Sequence, residues 1–154
     1  METIRVFQRL KFAAALAACA ALALTGCGSS TPTPGSPPSS GSGAPGEWKL
    51  LNPSEVTPEA TTLHLGVSRA SCAGGVTGDV LKPKVTLEAG RITIQTDVAS
   101  LPDGLYTCQS NDYVPVTVEL AEAVGNRELF DALCLDSNRA THSYCMDGGV
   151  RWRP

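Results

Sequence analysis

The chain predicts a mainly β protein: a small antiparallel β-sandwich with two disulfides, preceded by a signal-peptide helix and a disordered linker. Three observations carry that expectation. Beyond residue 61 the apolar residues recur with a period of two, four cysteines stand beyond residue 70, and the first 46 residues split into a charged-then-apolar leader and a Gly/Ser/Pro tract.

In the leader, Arg5, Arg9 and Lys11 form a positive n-region, and Phe12 to Leu24 is an unbroken run of Phe, Ala, Leu and Cys. This is the layout of a secretory signal. A membrane-spanning helix needs about 20 apolar residues to cross a hydrocarbon core of about 30 Å, so the run is too short for a durable span. It closes on Leu24-Thr25-Gly26-Cys27, which resembles the bacterial lipobox, Leu-(Ala/Ser/Thr)-(Gly/Ala)-Cys. The residue types fit the chemistry: small residues let the backbone enter a protease cleft, Leu24 fills an apolar pocket, and the Cys27 thiol forms a thioether to diacylglycerol. The resemblance implies that residues 1–26 are removed by a lipoprotein signal peptidase. Cys27 then becomes a lipidated N-terminus, palmitate included, on the extracytoplasmic face of the cell membrane. Each buried CH₂ contributes about 0.8 kcal/mol, so two or more long chains give a durable anchor.

Residues 28–46 contain no charge and no large apolar side chain. Such a segment cannot bury enough surface to offset the entropy of ordering. With the lipidated Cys27 it reads as a linker, 27–46, spanning on the order of 25 Å. The chain has 12 Lys+Arg and 15 Asp+Glu; without Arg5, Arg9, Lys11 and Glu2 this leaves 9 against 14, a formal charge of −5. An acidic chain with no basic, aromatic-interleaved patch argues against a nucleic-acid partner, and anionic head groups repel it. Contact with the membrane is expected through the lipid alone.

Residues 47–154 have the size of one ordinary domain. Thr62 to Val67, Lys84 to Glu88, Arg91 to Gln95 and Val114 to Leu120 alternate as half-buried strands do. Ala89-Gly90, between Glu88 and Arg91, predicts a two-residue hairpin with opposite charges on paired positions. Leu101-Pro102-Asp103-Gly104 predicts a turn that reverses the chain before Tyr106. The expected core is Leu63, Leu65, Val67, Val85, Leu87, Ile92, Ile94, Val116, Val118 and Leu120, and short helices are expected near Pro53–Ala60 and Glu128–Leu135.

Cys19 leaves with the leader and Cys27 takes the lipid, so Cys72, Cys108, Cys134 and Cys145 remain for an oxidising compartment. Four cysteines allow three pairings. Cys72–Cys108 with Cys134–Cys145 is favoured because each bridge links neighbours in chain order, the other two pairings staying open.

Cys72, Leu105-Tyr106-Thr107-Cys108, Val114 to Leu120, and Gly125-Asn126-Arg127-Glu128-Leu129-Phe130-Asp131-Ala132 with Cys134 resemble small extracytoplasmic proteins of high-GC Gram-positive bacteria. Their pattern runs roughly Cys…Cys…Val-x-Val-x-Leu…Gly-x-Arg-x-Leu-x-Asp. The resemblance implies a lipidated or secreted, β-rich protein on the outer leaflet of the cytoplasmic membrane, and says nothing of its chemistry. Where many of them have Pro, this chain has Ala123, which predicts a looser turn.

The domain contains no Gly-x-Ser-x-Gly elbow, His-Glu-x-x-His or Ser-x-x-Lys motif. Ala73 to Gly78 is glycine-rich but opens no helix, and reads as an inter-strand loop. His64 falls on the polar face of its strand. Cys134, His142 and Cys145 have a spacing that zinc would accept, with Asp136 and Asp147 near, but exported thiols oxidise, so a disulfide beside a loop histidine is expected and no metal. Gly125-x-Arg127-x-x-x-Asp131 reads as an arginine pinning a turn through a carboxylate rather than as a substrate pair. Trp152 fits a plug on the core or an exposed binding surface. The expected function is that of a non-enzymatic binding or interaction module of the cell envelope, with no catalytic residue and no cofactor, and with an envelope protein or ligand of unknown identity as partner. The alternatives are an envelope enzyme or enzyme accessory, or a structural surface protein.

Replacing Cys27 by Ser should leave an uncleaved precursor or release the protein, since a hydroxyl forms no thioether. Detergent phase partitioning decides it: mature Ser variant in the detergent phase would contradict the lipobox reading.

Overall fold

The computed structural model describes residues 43–154. The expected signal peptide, the lipobox-like Leu24-Thr25-Gly26-Cys27 and the expected linker as far as residue 42 lie outside the described residues. Seven strands follow: β1 (Ala44–Leu50), β2 (Thr62–Arg69), β3 (Lys84–Leu87), β4 (Arg91–Val98), β5 (Val114–Glu119), β6 (Glu128–Asp131) and β7 (Val150–Trp152). Among the described residues no helix is long and apolar enough to cross a membrane.

The alternation seen in the sequence places β2, β3, β4 and β5. Ala89-Gly90 closes the β3–β4 hairpin, where the Glu88 N–H donates to the Arg91 carbonyl at 2.8 Å and the two side chains pair at 2.9 Å. Strand β4 then has to serve two neighbours. Its first half pairs antiparallel with β3 and in parallel with β6, from Arg91 opposite Glu128 to Ile94 opposite Asp131. Its second half pairs with β1, Thr96 opposite Gly46 and Val98 opposite Ala44. The resulting order is β5-β2-β1-β4-β6-β7, with β3 on the other edge of β4.

Three expectations are corrected here. The fold is mainly β, but it is one mixed seven-stranded sheet that does not close, rather than a wholly antiparallel sandwich. The parallel pair arises because the chain leaves β4, forms β5 at the far edge beside β2, and returns as β6; such a crossover permits parallel pairing, which a tight hairpin forbids. Second, Glu128–Asp131 is not helical. Paired with β4 on one side and β7 on the other, it buries Leu129, Phe130 and Asp131 in succession, and this outweighs a weak helix propensity. Only Ala132–Leu135, and near the other expected helix only Pro53–Glu55, form short 3-10 turns. Third, Ala44, Pro45 and Gly46, assigned to the linker, belong to β1 because β4 supplies them with backbone partners. The chain does turn after Leu101, where the Tyr106 hydroxyl donates to the Pro102 carbonyl at 2.8 Å, but residues 99–113 form no strand.

The strands bury side chains in a main core, and a smaller cluster of Phe130, Cys134 and Cys145 lies apart from it. In the main core Leu63, Leu65, Val67, Ile92, Ile94, Val118 and Leu120 are buried as expected, while Val85, Leu87 and Val116 pack on its margin. Trp48, Leu50, Val98, Val124 and Leu129 complete it, and Trp152 packs against it from β7. The Trp48 indole N–H donates to the Ile94 carbonyl at 3.1 Å, so the largest core side chain also ties β1 to β4. Cys72 is bonded to Cys108 and Cys134 to Cys145. Closing the first of these loops contributes about 3–4 kcal/mol on the chain-entropy estimate.

Truncating Leu129 to Ala should destabilise the domain by about 2–5 kcal/mol in chemical denaturation, whereas Leu105→Ala, at a fully exposed position, should stay within about 0.5 kcal/mol of wild type. Equal effects at the two sites would contradict the packing described.

Candidate binding grooves

The residues of greatest chemical interest gather at the end of β2. Arg69 stands in strand parity with Leu63, Leu65 and Val67, so alternation aims it toward the core side rather than toward water. Opposite it lies Gly46, where a Cβ would come within 3.1 Å of Thr96 Oγ1 and of a Val67 methyl. The Arg69 side chain is 6% exposed. Its Nη2 donates to the Ala99 carbonyl, its Nε is buried without an acceptor, and none of the ion pairs among the described residues includes it.

Around Arg69 the loops are tied by one amide. Asn111 Nδ2 donates to the carbonyls of Arg69 (2.9 Å) and Ser71 (2.8 Å), while Asn111 Oδ1 accepts from the Gly75 N–H (3.1 Å). The Thr77 hydroxyl donates to the Asp112 carbonyl and accepts from the Arg69 N–H at 3.4 Å. The Cys72–Cys108 disulfide fastens the same two loops covalently. Two shallow grooves flank this knot and share Arg69, Ser71 and Cys72 as their common wall. The first, about 380 Å³, is completed chiefly by Glu47, Tyr113 and Tyr144. The second, about 370 Å³, runs past Ser100, Asp103 and Tyr106.

In the first groove the Tyr113 hydroxyl donates to Glu47 Oε1 at 3.1 Å, and the Lys49 ammonium lies 3.7 Å from the centre of the Tyr113 ring. Burial raises the Glu47 carboxyl above the usual glutamate range, although the Tyr113 hydrogen bond and the Arg151 charge oppose it. Burial, followed by the Glu47 charge, raises the Tyr113 phenol as well. The Tyr144 hydroxyl is buried without a partner.

Behind this groove lies a buried ion pair. Asp131, fully buried at the end of β6, accepts from Arg151 Nη2 at 2.7 Å, from the Trp48 N–H at 3.3 Å and from the Leu133 N–H at 3.0 Å. Burial raises its carboxyl, with Arg151 and the two backbone donors opposing. Arg151 Nη1 donates to the Tyr144 carbonyl at 2.6 Å, which carries the pair's hold into the C-terminal loop beside the groove.

The residues singled out from the sequence fall in different places. Cys72 and Cys108 line the first groove. Cys134 and Cys145 are joined beneath the C-terminal loop, and His142 is exposed on it, its ring 5.3 Å from that of Tyr144. Among the described residues no three His, Cys, Asp or Glu are grouped to hold a metal ion. His64 lies on the solvent face, 3.4 Å from Thr117 Oγ1. Arg127 does pin a turn through a carboxylate, but the carboxylate is Glu122 at 3.2 Å, with the Val124 carbonyl at 3.0 Å, and not Asp131. These bonds hold the Ala123 turn without the proline. Glu47, Arg69, Asn111 and Tyr113 were not singled out from the sequence; of these, only Arg69 carried a signal, its inward parity in β2.

No protein-family model, no curated protein and no solved structure matches the chain. The functional reading rests on the grooves themselves.

The raised Glu47 carboxyl sets a sign for pH. Its stabilising contribution is fully present below the usual value of 4.5 and is lost as pH rises through the higher folded value. The stability advantage of Glu47→Gln over wild type should therefore grow from acidic toward neutral pH in denaturation curves. An advantage that shrinks with rising pH would contradict the burial described for Glu47.

Proposed function

We propose that the chain is a lipid-anchored protein on the extracytoplasmic face of the cell membrane, akin to the small extracytoplasmic proteins of high-GC Gram-positive bacteria. Its β domain is a non-enzymatic binding module that takes an envelope ligand in the grooves beside Cys72–Cys108. The two arms of the sheet serve as the layers of a small sandwich, and the linker holds the grooves clear of the bilayer. The observation that carries the reading is the loop knot at the end of β2. There a disulfide and the three hydrogen bonds of Asn111 present polar side chains on a rigid sheet end. Rigid scaffolds that display loops in this way suit recognition, because little entropy remains to be lost on binding.

Full-length protein immobilised by its C-terminus should retain a component of envelope extracts, and Asn111→Ala should lose it while keeping the far-ultraviolet circular dichroism of wild type. Screens with esterase, peptidase, phosphatase and glycosidase substrates should show no turnover. Retention unchanged by Asn111→Ala, or a reproducible turnover abolished by His142→Ala, would overturn the reading.

A further inference from the structure

The loop knot contains one group that its structural role does not explain. Holding the Ala99 carbonyl needs a single donor, and a lysine or an amide would supply it. Arg69 instead brings a whole guanidinium, with five N–H donors and a permanent charge, into a site where it is almost fully buried. Buried charges are ordinarily paired, because desolvating an ion without a counter-charge is strongly unfavourable. The domain's other largely buried arginines obey that rule: Arg151 has Asp131 and Arg127 has Glu122. Among the described residues Arg69 has only the Ala99 carbonyl, and its Nε faces no acceptor.

We infer that Arg69 is the anchor of an anion subsite in the second groove, and that the ligand of the proposed binding module is an acidic saccharide. Its carboxylate or phosphate supplies the counter-charge that the chain withholds. The rest of that groove suits the body of such a ligand. Ser71 and Ser100 offer hydroxyls, and the Tyr106 ring, fixed by its hydroxyl's bond to the Pro102 carbonyl, offers an apolar face for a sugar ring. Asp103, on the same wall, forms no ion pair among the described residues and serves as an acceptor for sugar hydroxyls. The anion wins against the acidic character of the domain because a guanidinium in a low-dielectric wall binds carboxylate or phosphate through charge-assisted hydrogen bonds.

The inference rests on the binding-module reading, and the test separates the two. Full-length protein in mild detergent is titrated with D-glucuronate, D-glucose 6-phosphate, D-glucose and inorganic phosphate, followed by intrinsic tryptophan fluorescence and calorimetry. The two acidic sugars should bind roughly tenfold to a hundredfold more tightly than glucose, the factor expected of one charge-assisted contact, and their affinity should fall with salt. Inorganic phosphate should compete with both. Arg69→Met should abolish the preference, and Arg69→Lys should restore part of it. Because the comparison of charged with neutral sugars uses wild type, a folding defect in a variant leaves the test standing. Glucose bound as tightly as glucuronate would overturn the anion subsite while leaving a binding groove. Failure of all four probes at millimolar concentration would overturn the subsite, with the extract experiment still deciding the module. Inorganic phosphate bound as tightly as glucose 6-phosphate would overturn the saccharide part.

Discussion

The packing of this domain turns on a single buried carboxylate. Asp131 sits where β6 leaves β4 and where β1 takes over the same strand, so the two segments that share one edge of β4 meet at this point. Its oxygens receive a donor from each direction: the Trp48 N–H from β1, the Leu133 N–H from the following turn, and the Arg151 guanidinium from β7. Desolvating the pair is unfavourable, and that it persists in the core fits a role in specifying which strands meet there; breaking such a pair on one side typically costs about 3–5 kcal/mol. Gly149 completes the corner. Its carbonyl accepts from the Asp131 N–H at 2.8 Å, its φ is +87°, and a Cβ there would lie 2.6 Å from that of Cys134. Only glycine lets β7 approach so closely.

From that corner the architecture reaches the grooves by two routes. Arg151 holds the Tyr144 carbonyl and so lays the C-terminal disulfide loop against the first groove. Trp48, whose backbone rests on Asp131 and whose indole rests on Ile94, fixes β1, and through β1 the neighbouring Glu47 and Gly46. Both grooves also depend on Asn111 and Cys72–Cys108, which tie together the loops around Arg69. A rigid sheet end with clamped loops leaves its charged side chains in settled positions, as recognition of a polar ligand requires.

Much of the fold was legible in the chain because its physical signals are local. Period-two alternation marked β2 through β5, and Ala89-Gly90 marked the hairpin. What the sequence hid depends on distant partners. β1 begins inside a Pro/Gly tract that looks like linker and becomes a strand because β4 offers Ala44–Gly46 backbone partners. β6 is four residues buried on both faces, too short to show a period, and β7 is three. The mate of Asp131 lies twenty residues on in β7, while the nearer Arg127 turns back to its own loop. Of the grooves, the cysteines were visible; Asn111 and Tyr113 sit in an irregular segment where side-chain roles follow from tertiary contacts. Arg69 alone could have been found, as a charge standing at a core parity.

Asp131 locks β1, β6 and β7 into one cooperative unit that also carries the groove wall. Amide hydrogen exchange reads out that lock at the Trp48 N–H, whose acceptor is the Asp131 carboxylate. In the wild-type protein that amide should exchange no faster than the Ile94 amide at the centre of β4, both only through unfolding of the whole domain. In Asp131→Asn, Trp48, Leu133 and Cys145 should exchange through local opening while Ile94 stays protected. A Trp48 amide that exchanges freely in the wild type, independently of Ile94, would contradict the account.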